Sequence, residues 1–159
     1  MAIVEPAELK TALPPGGRLL GLDLGSKTIG LAISDSGLAV ASPLATIQRK
    51  KFTADAEALM ALIAGRGVGG LVLGLPRNMD GSEGPRAQST RQFAANLLEK
   101  IDIPIAFWDE RLSTAEVERV LIGEADMTRR RRGAVIDKMA AGVILQNFLD
   151  FLRHAQEPQ

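Results

Sequence analysis

The chain has 159 residues, 46% hydrophobic and 24% charged, which suits one globular domain with a real core. Its formal net charge is zero, so nothing global directs it to nucleic acid or a membrane, and any such contact must rest on a local patch. Without cysteine there is no disulfide and no thiolate metal site, and no apolar run nears the roughly 18 residues that span a bilayer.

The opening "MAIVEPAELK" lacks the basic and apolar regions of a secretion signal, so a cytoplasmic location is expected. Residues 1–17 read as a flexible N-terminal extension, punctuated by "LPPGG" at 13–17. Arg18–Leu24 reads as a strand and Gly25-Ser26-Lys27 as a turn. A second strand follows over Thr28–Asp35, with Ile29, Leu31 and Ile33 alternating. Ser36-Gly37 turns the chain into a third strand, Leu38–Ile47, where Pro43 indicates an edge or a bulge. Turns this short make the three strands antiparallel.

The period then changes. Ala56, Leu59, Met60 and Ile63 recur at helical spacing, with Thr53 as the expected N-cap and Gly65 as the stop. "GGLVLGLP" (69–76) is a short apolar strand of the kind buried on both faces. A loop leads to a helix from Pro85 to about Lys100, then to a buried strand, "IPIAFW" (103–108). Ser113 and Glu116 form a capping box for a helix to about Ile122. "GEADMTRRRRG" reads as a polar loop, Ala134 to about Arg153 as the last helix, and residues 154–159 as a frayed tail. A meander followed by crossovers gives an α/β fold, a mixed five-stranded sheet with helices on both faces, in the ribonuclease H-like order. One such domain is expected over residues 18–153.

Asp23 sits inside the apolar run Leu19–Leu24, and a buried carboxylate is costly unless paired, hydrogen-bonded or bound to metal. Asp109 and Glu110 follow the strand 103–108, and Asp137 lies early in the last helix. Singly, each has a structural explanation: an acceptor in a strand, a salt-bridged strand end, a helix-dipole charge. Jointly, strand ends in an open α/β sheet can bring them over one crevice. Carboxylates held together repel unless a cation intervenes, and oxygen ligands suit Mg²⁺ or Mn²⁺. Two such ions would clamp the attacking and leaving oxygens of a phosphodiester.

"GLDLGSKT" is not a Walker A loop, because its glycine spacing is short and Ser26 precedes Lys27. Asp23, Gly25 and Gly30 also fit the first phosphate loop of actin-like ATPases, but those enclose ATP between two such domains. Asn78, Ser82, Arg86 and Arg91 lie in or just after the loop beyond the strand 69–76 and are candidates for phosphate or sugar contact. The arginines 129–132, including Arg130 and Arg131, are candidates for a phosphate backbone. His154 falls in the tail, and Trp108 is expected in the core.

"GLDLGSKTIGLAISD", "VLGLPRNMDGSEGPRA", "WDERLSTAEVERVLI" and "DKMAAGVILQNFLD" together resemble the YqgF/RuvX family, over about residues 18–152. The resemblance implies a single-domain nuclease related to the Holliday junction resolvase RuvC, assigned to trimming the 5′ end of pre-16S rRNA in the cytoplasm. Lys27-Thr28 stands where the family often has Lys-Arg. The family's acidic residues fall on Asp23, Glu110 and Asp137. Asp109 is a possible fourth ligand, but neighbours on an extended strand face opposite ways, and Glu110 is the choice. Lys27, Asn78, Arg86, Arg111, Arg130 and Arg131 are the expected substrate contacts. Expected partners are pre-rRNA, the small-subunit precursor and structured DNA, met by a monomer or weak homodimer with no membrane contact. The alternatives are a DNA junction resolvase and a non-catalytic RNA-binding assembly factor.

Overall fold

Seven alternating residues of β1 (Arg18–Leu24) place Leu20, Leu22 and Leu24 on one side and Leu19, Gly21 and Asp23 on the other. The computed structural model, which describes residues 3–78, 80–110 and 129–156 (backbone alone at 129–138 and 155–156), builds a mixed sheet around this strand. β2 (Thr28–Ser34) and β3 (Ala41–Gln48) continue antiparallel from β1, while β4 (Val68–Leu75) and β5 (Ile105–Asp109) run parallel to it. The sheet order is β3-β2-β1-β4-β5.

Short turns set the meander. Gly25 N–H donates to the Thr28 carbonyl at 2.8 Å, closing the β1–β2 turn. The Asp35 carboxylate accepts the Val40 and Ala39 amides, which holds its pKa below the ordinary range. Those bonds, with Leu38 at φ 57°, keep residues 38–40 in the turn, so β3 begins at Ala41 rather than Leu38. Pro43 lies on this edge strand, beside a register shift opposite Leu31/Ala32.

Helices cover both faces. α2 (Phe52–Arg66) and α3 (Pro85–Leu98) pack Ala56, Leu59, Ile63, Phe93, Ala94 and Leu97 on the face of Leu20, Leu22 and Leu31. α2 ends at Gly67, whose φ of 67° suits glycine, and its N-cap is Lys51, not Thr53. The opposite face carries Leu19, Ala32, Val72, Ala106 and Trp108, covered by Ala141, Ile144, Leu145 and Phe148 of the last helix, Arg129–Gln156. That helix starts earlier than expected, so residues 129–132 are helical backbone rather than loop, and His154 lies within it rather than in a tail. The helix and loop expected between Ser113 and Thr128 lie outside the described residues. Among the described residues no helix is long and apolar enough to cross a membrane.

The segment before β1 is not the loose extension that its turn residues imply. A 3₁₀ turn (Pro6–Glu8) leads into α1 (Leu9–Ala12), and Leu9 is fully buried in the core between the sheet and the last helix. Val4 N–H donates to the Ile105 carbonyl at 2.8 Å, and Ile3 bridges Ile105 in parallel, covering part of the β5 edge. The long helix, following α3 among the described residues, is α4 below.

Leu9→Ala is expected to lower unfolding stability by about 2–5 kcal/mol, as for other buried leucines. Urea denaturation checks it, and a change below about 0.5 kcal/mol would show that the segment does not dock.

Candidate active site at the carboxyl edge of the sheet

β1, β4 and β5 are parallel, so their carboxyl ends reach the same edge, with Leu22 level with Leu73 and Leu75 level with Asp109. Asp23 is the penultimate residue of β1, on the face that α4 covers. Glu110 follows directly on β5, and its carboxyl hydrogen-bonds Asp23. β4 lies between these two strands, and Gly74 makes room there. A Cβ on Gly74 would stand 2.7 Å from Glu110 Oε1 and 2.5 Å from Ile144 Cδ1. A second close approach lies below: a Cβ on Gly21 would be 2.9 Å from Leu145 Cβ. Small residues on the sheet therefore let α4 come down and let Glu110 reach across.

Burial, then the charge and hydrogen bond of Asp23, push the Glu110 carboxyl up to about 7. Asp109 adds to the rise and Arg86 opposes it. Below about pH 7 the pair thus holds one shared proton, which the protonated Glu110 donates to Asp23. Two half-buried carboxyls offering only oxygens are a donor set for a hard divalent cation, which would take over the role of that proton. Among the described residues no third acidic or imidazole side chain joins them. Asp137 lies on the α4 backbone, and its side chain is outside the described residues.

The other sequence candidates separate. Asp109 lies 3.9 Å from Arg77, and its charge helps raise the Glu110 carboxyl. Arg86, the second residue of α3, donates to the Leu24 carbonyl at 3.4 Å and acts electrostatically on Glu110. Lys27 is exposed in the β1–β2 turn. Asn78 holds its own loop, through backbone bonds to Ser82 and Gly81 and a side-chain bond to Ser82 Oγ at 3.0 Å. Arg91 is committed to Glu83 by two 2.6 Å bonds and lies over the Phe107 ring. Arg111 lies outside the described residues, as do the side chains of Arg130 and Arg131. Sequence reasoning missed Arg49 and Gly74. Arg49 sits in the charged run after β3 and donates to the Gly25 carbonyl at 2.6 Å. A glycine inside an apolar strand was the available signal for Gly74.

The family RuvX, described as Holliday junction resolvase, matches residues 17–151. A relative from Paramagnetospirillum magneticum is 62% identical over 150 residues, covering 94% of this chain and 96% of its own length. One from Phenylobacterium zucineum is 58% identical over 155 residues, covering 97% and 99%. Both carry the name "Putative pre-16S rRNA nuclease". Among solved structures, Thermus thermophilus RuvC in complex with a Holliday junction substrate superposes with a TM-score of 0.56 at 11% identity, over 88% of this chain and 97% of that one. That likeness shows the fold: ribonuclease H-like, with RuvC's architecture.

The raised Glu110 carboxyl gives a signed pH dependence. The folded chain holds this proton more tightly than the unfolded chain, whose carboxyl titrates near 4.5. Its contribution is therefore complete below pH 4.5 and is lost as pH rises through about 7. In EDTA, the melting temperature of the wild type should fall relative to Glu110→Gln across that window. Parallel curves would contradict the shared proton.

Proposed function

The chain belongs to the RuvX family, and from that premise we propose that it is a divalent-metal-dependent nuclease that hydrolyses phosphodiester bonds of structured RNA, trimming the 5′ end of pre-16S rRNA. Residues 18–153 form the nuclease unit in this reading, working in the cytoplasm on the small-subunit precursor. The observation that carries it is the contact between the Asp23 and Glu110 carboxyls, brought from two separate strands to one edge. The names of the relatives support the substrate.

Asp23 and Glu110 would hold Mg²⁺ or Mn²⁺, with Asp137 as the third ligand. Position 137 is one helical turn before Ala141, which packs against the sheet beside Gly21. Bound ions there supply Lewis-acid activation of water and stabilisation of the leaving oxygen. The protein's own contribution is placement. Asp23 is fixed by the β1 ladder opposite Gly30, and Glu110 by the end of β5. Glu110 would release its proton to solvent on holding a cation. The guanidinium of Arg86, already felt by Glu110, offsets the charge of an approaching phosphate.

A second reading is supported by the family's description as a Holliday junction resolvase. Symmetric cutting of a junction needs a two-fold dimer, whereas RNA trimming proceeds on a monomer.

Asp23→Asn is expected to abolish Mn²⁺-dependent cleavage of precursor RNA while leaving RNA binding intact. The same assay with a four-way DNA junction separates the two substrates. Wild-type protein that cuts neither would refute the nuclease. Gly74→Ala should lower cleavage by about a hundredfold, since an ångström of misplacement has that scale of effect. Circular dichroism confirms that the variant still folds.

A further inference from the structure

A cleft of 220 Å³ opens where the end of β1 and its turn meet the start of α3. It begins at Leu24, the residue after Asp23. Arg49 and Arg86 line it, with the hydroxyls of Ser26 and Ser89 at its rim and buried Phe93 behind. Among the described residues, no acidic side chain lines it.

The two arginines differ from others on this surface. Arg77 pairs with Glu83 and Asp109, Arg91 with Glu83, and Arg153 with Asp150. Among the described residues, neither Arg49 nor Arg86 makes an ion pair. Each is steadied instead by a main-chain carbonyl of the β1–β2 corner, Gly25 for Arg49 at 2.6 Å and Leu24 for Arg86 at 3.4 Å. The Arg49 guanidinium also lies 5.8 Å from the Phe93 ring centroid. A carbonyl orients a guanidinium without neutralising it, and most of its five N–H donors stay available.

From this geometry we infer that the cleft seats a backbone phosphate of the polynucleotide substrate, next to the bond being cut, with Arg49 and Arg86 as its ligands. This rests on the nuclease reading, which places the cut phosphate over Asp23 and Glu110. A continuous strand then carries its next phosphate into adjoining space, and the cleft offers such space with two arginines that, among the described residues, make no ion pair. Backbone contacts of this kind set register without reading sequence. The seat therefore positions the strand on the carboxylates whatever its bases.

Binding of a labelled structured RNA in EDTA, followed by fluorescence anisotropy over a range of salt, tests the seat apart from cleavage. Ser89→Glu puts a carboxylate at the rim on an exposed helix position. Gln88→Glu makes the same charge change on an exposed neighbour that does not line the cleft. Ser89→Glu should raise Kd by about tenfold over Gln88→Glu, the scale of a lost charged hydrogen bond. Arg49→Gln should reduce the slope of log Kd against log salt by about one. If Ser89→Glu binds like Gln88→Glu, or if the wild type binds no RNA, the inference is wrong. Wild-type protein that shows this charge pattern but no Mn²⁺-dependent cleavage would support the seat and remove the nuclease reading.

Discussion

Two carboxyl groups in hydrogen-bond contact cannot both be ionised unless something positive sits between or beside them. Asp23 and Glu110 are in that condition, and the surrounding structure forces them into it. Their strands flank β4 and end at one edge, and Gly74 removes the side chain that would hold Glu110 away. α4 closes the same face, with Ile144 and Leu145 pressed against the positions where glycine side chains are missing. The cost of the site is thus carried by a core on each face of the sheet. A rigid donor pair that releases a proton in exchange for a metal is well matched to chemistry in which charge must be concentrated before substrate arrives.

The two helical layers divide the work. The α4 face holds the acidic pair, whereas the face covered by α2 and α3 supplies the arginines that border the β1–β2 corner. One short turn joins them: Asp23 lies on one side of Leu24, and the carbonyls that steady Arg86 and Arg49 belong to Leu24 and Gly25. Negative and positive sites therefore keep a fixed spacing through the backbone itself. A neutral protein overall can engage a polyanion this way, with a local cluster in place of a global charge.

Much of this was readable from residues alone, for identifiable reasons. β1 is an apolar run and β2 alternates in sequence, and a glycine turn joins them, so their limits were plain to within a residue. An aspartate inside an apolar strand pointed to the candidate site, and the expectation that strand neighbours face opposite ways favoured Glu110 over Asp109. What escaped reading depends on contacts between distant segments. Leu9 is one apolar residue in a polar, turn-rich stretch, and only its pocket beside Leu19 and Leu149 makes it core. Arg49 sits in "QRKK", where nothing local distinguishes a cleft ligand from a solvated charge. Gly65 and Gly67 are equally good helix stops in sequence, and the backbone conformation of Gly67 decides between them.

Proton release on metal binding tests the central claim most directly. Isothermal titration of Mn²⁺ into the protein at pH 6, repeated in buffers of different ionisation enthalpy, counts the protons displaced. The account predicts on the order of one proton released per site in the wild type, since the Glu110 carboxyl titrates at about 7, and a loss of that release in Glu110→Gln. Manganese that binds with no proton released would contradict the account, because Asp23 and Glu110 would then already be a pair of free anions.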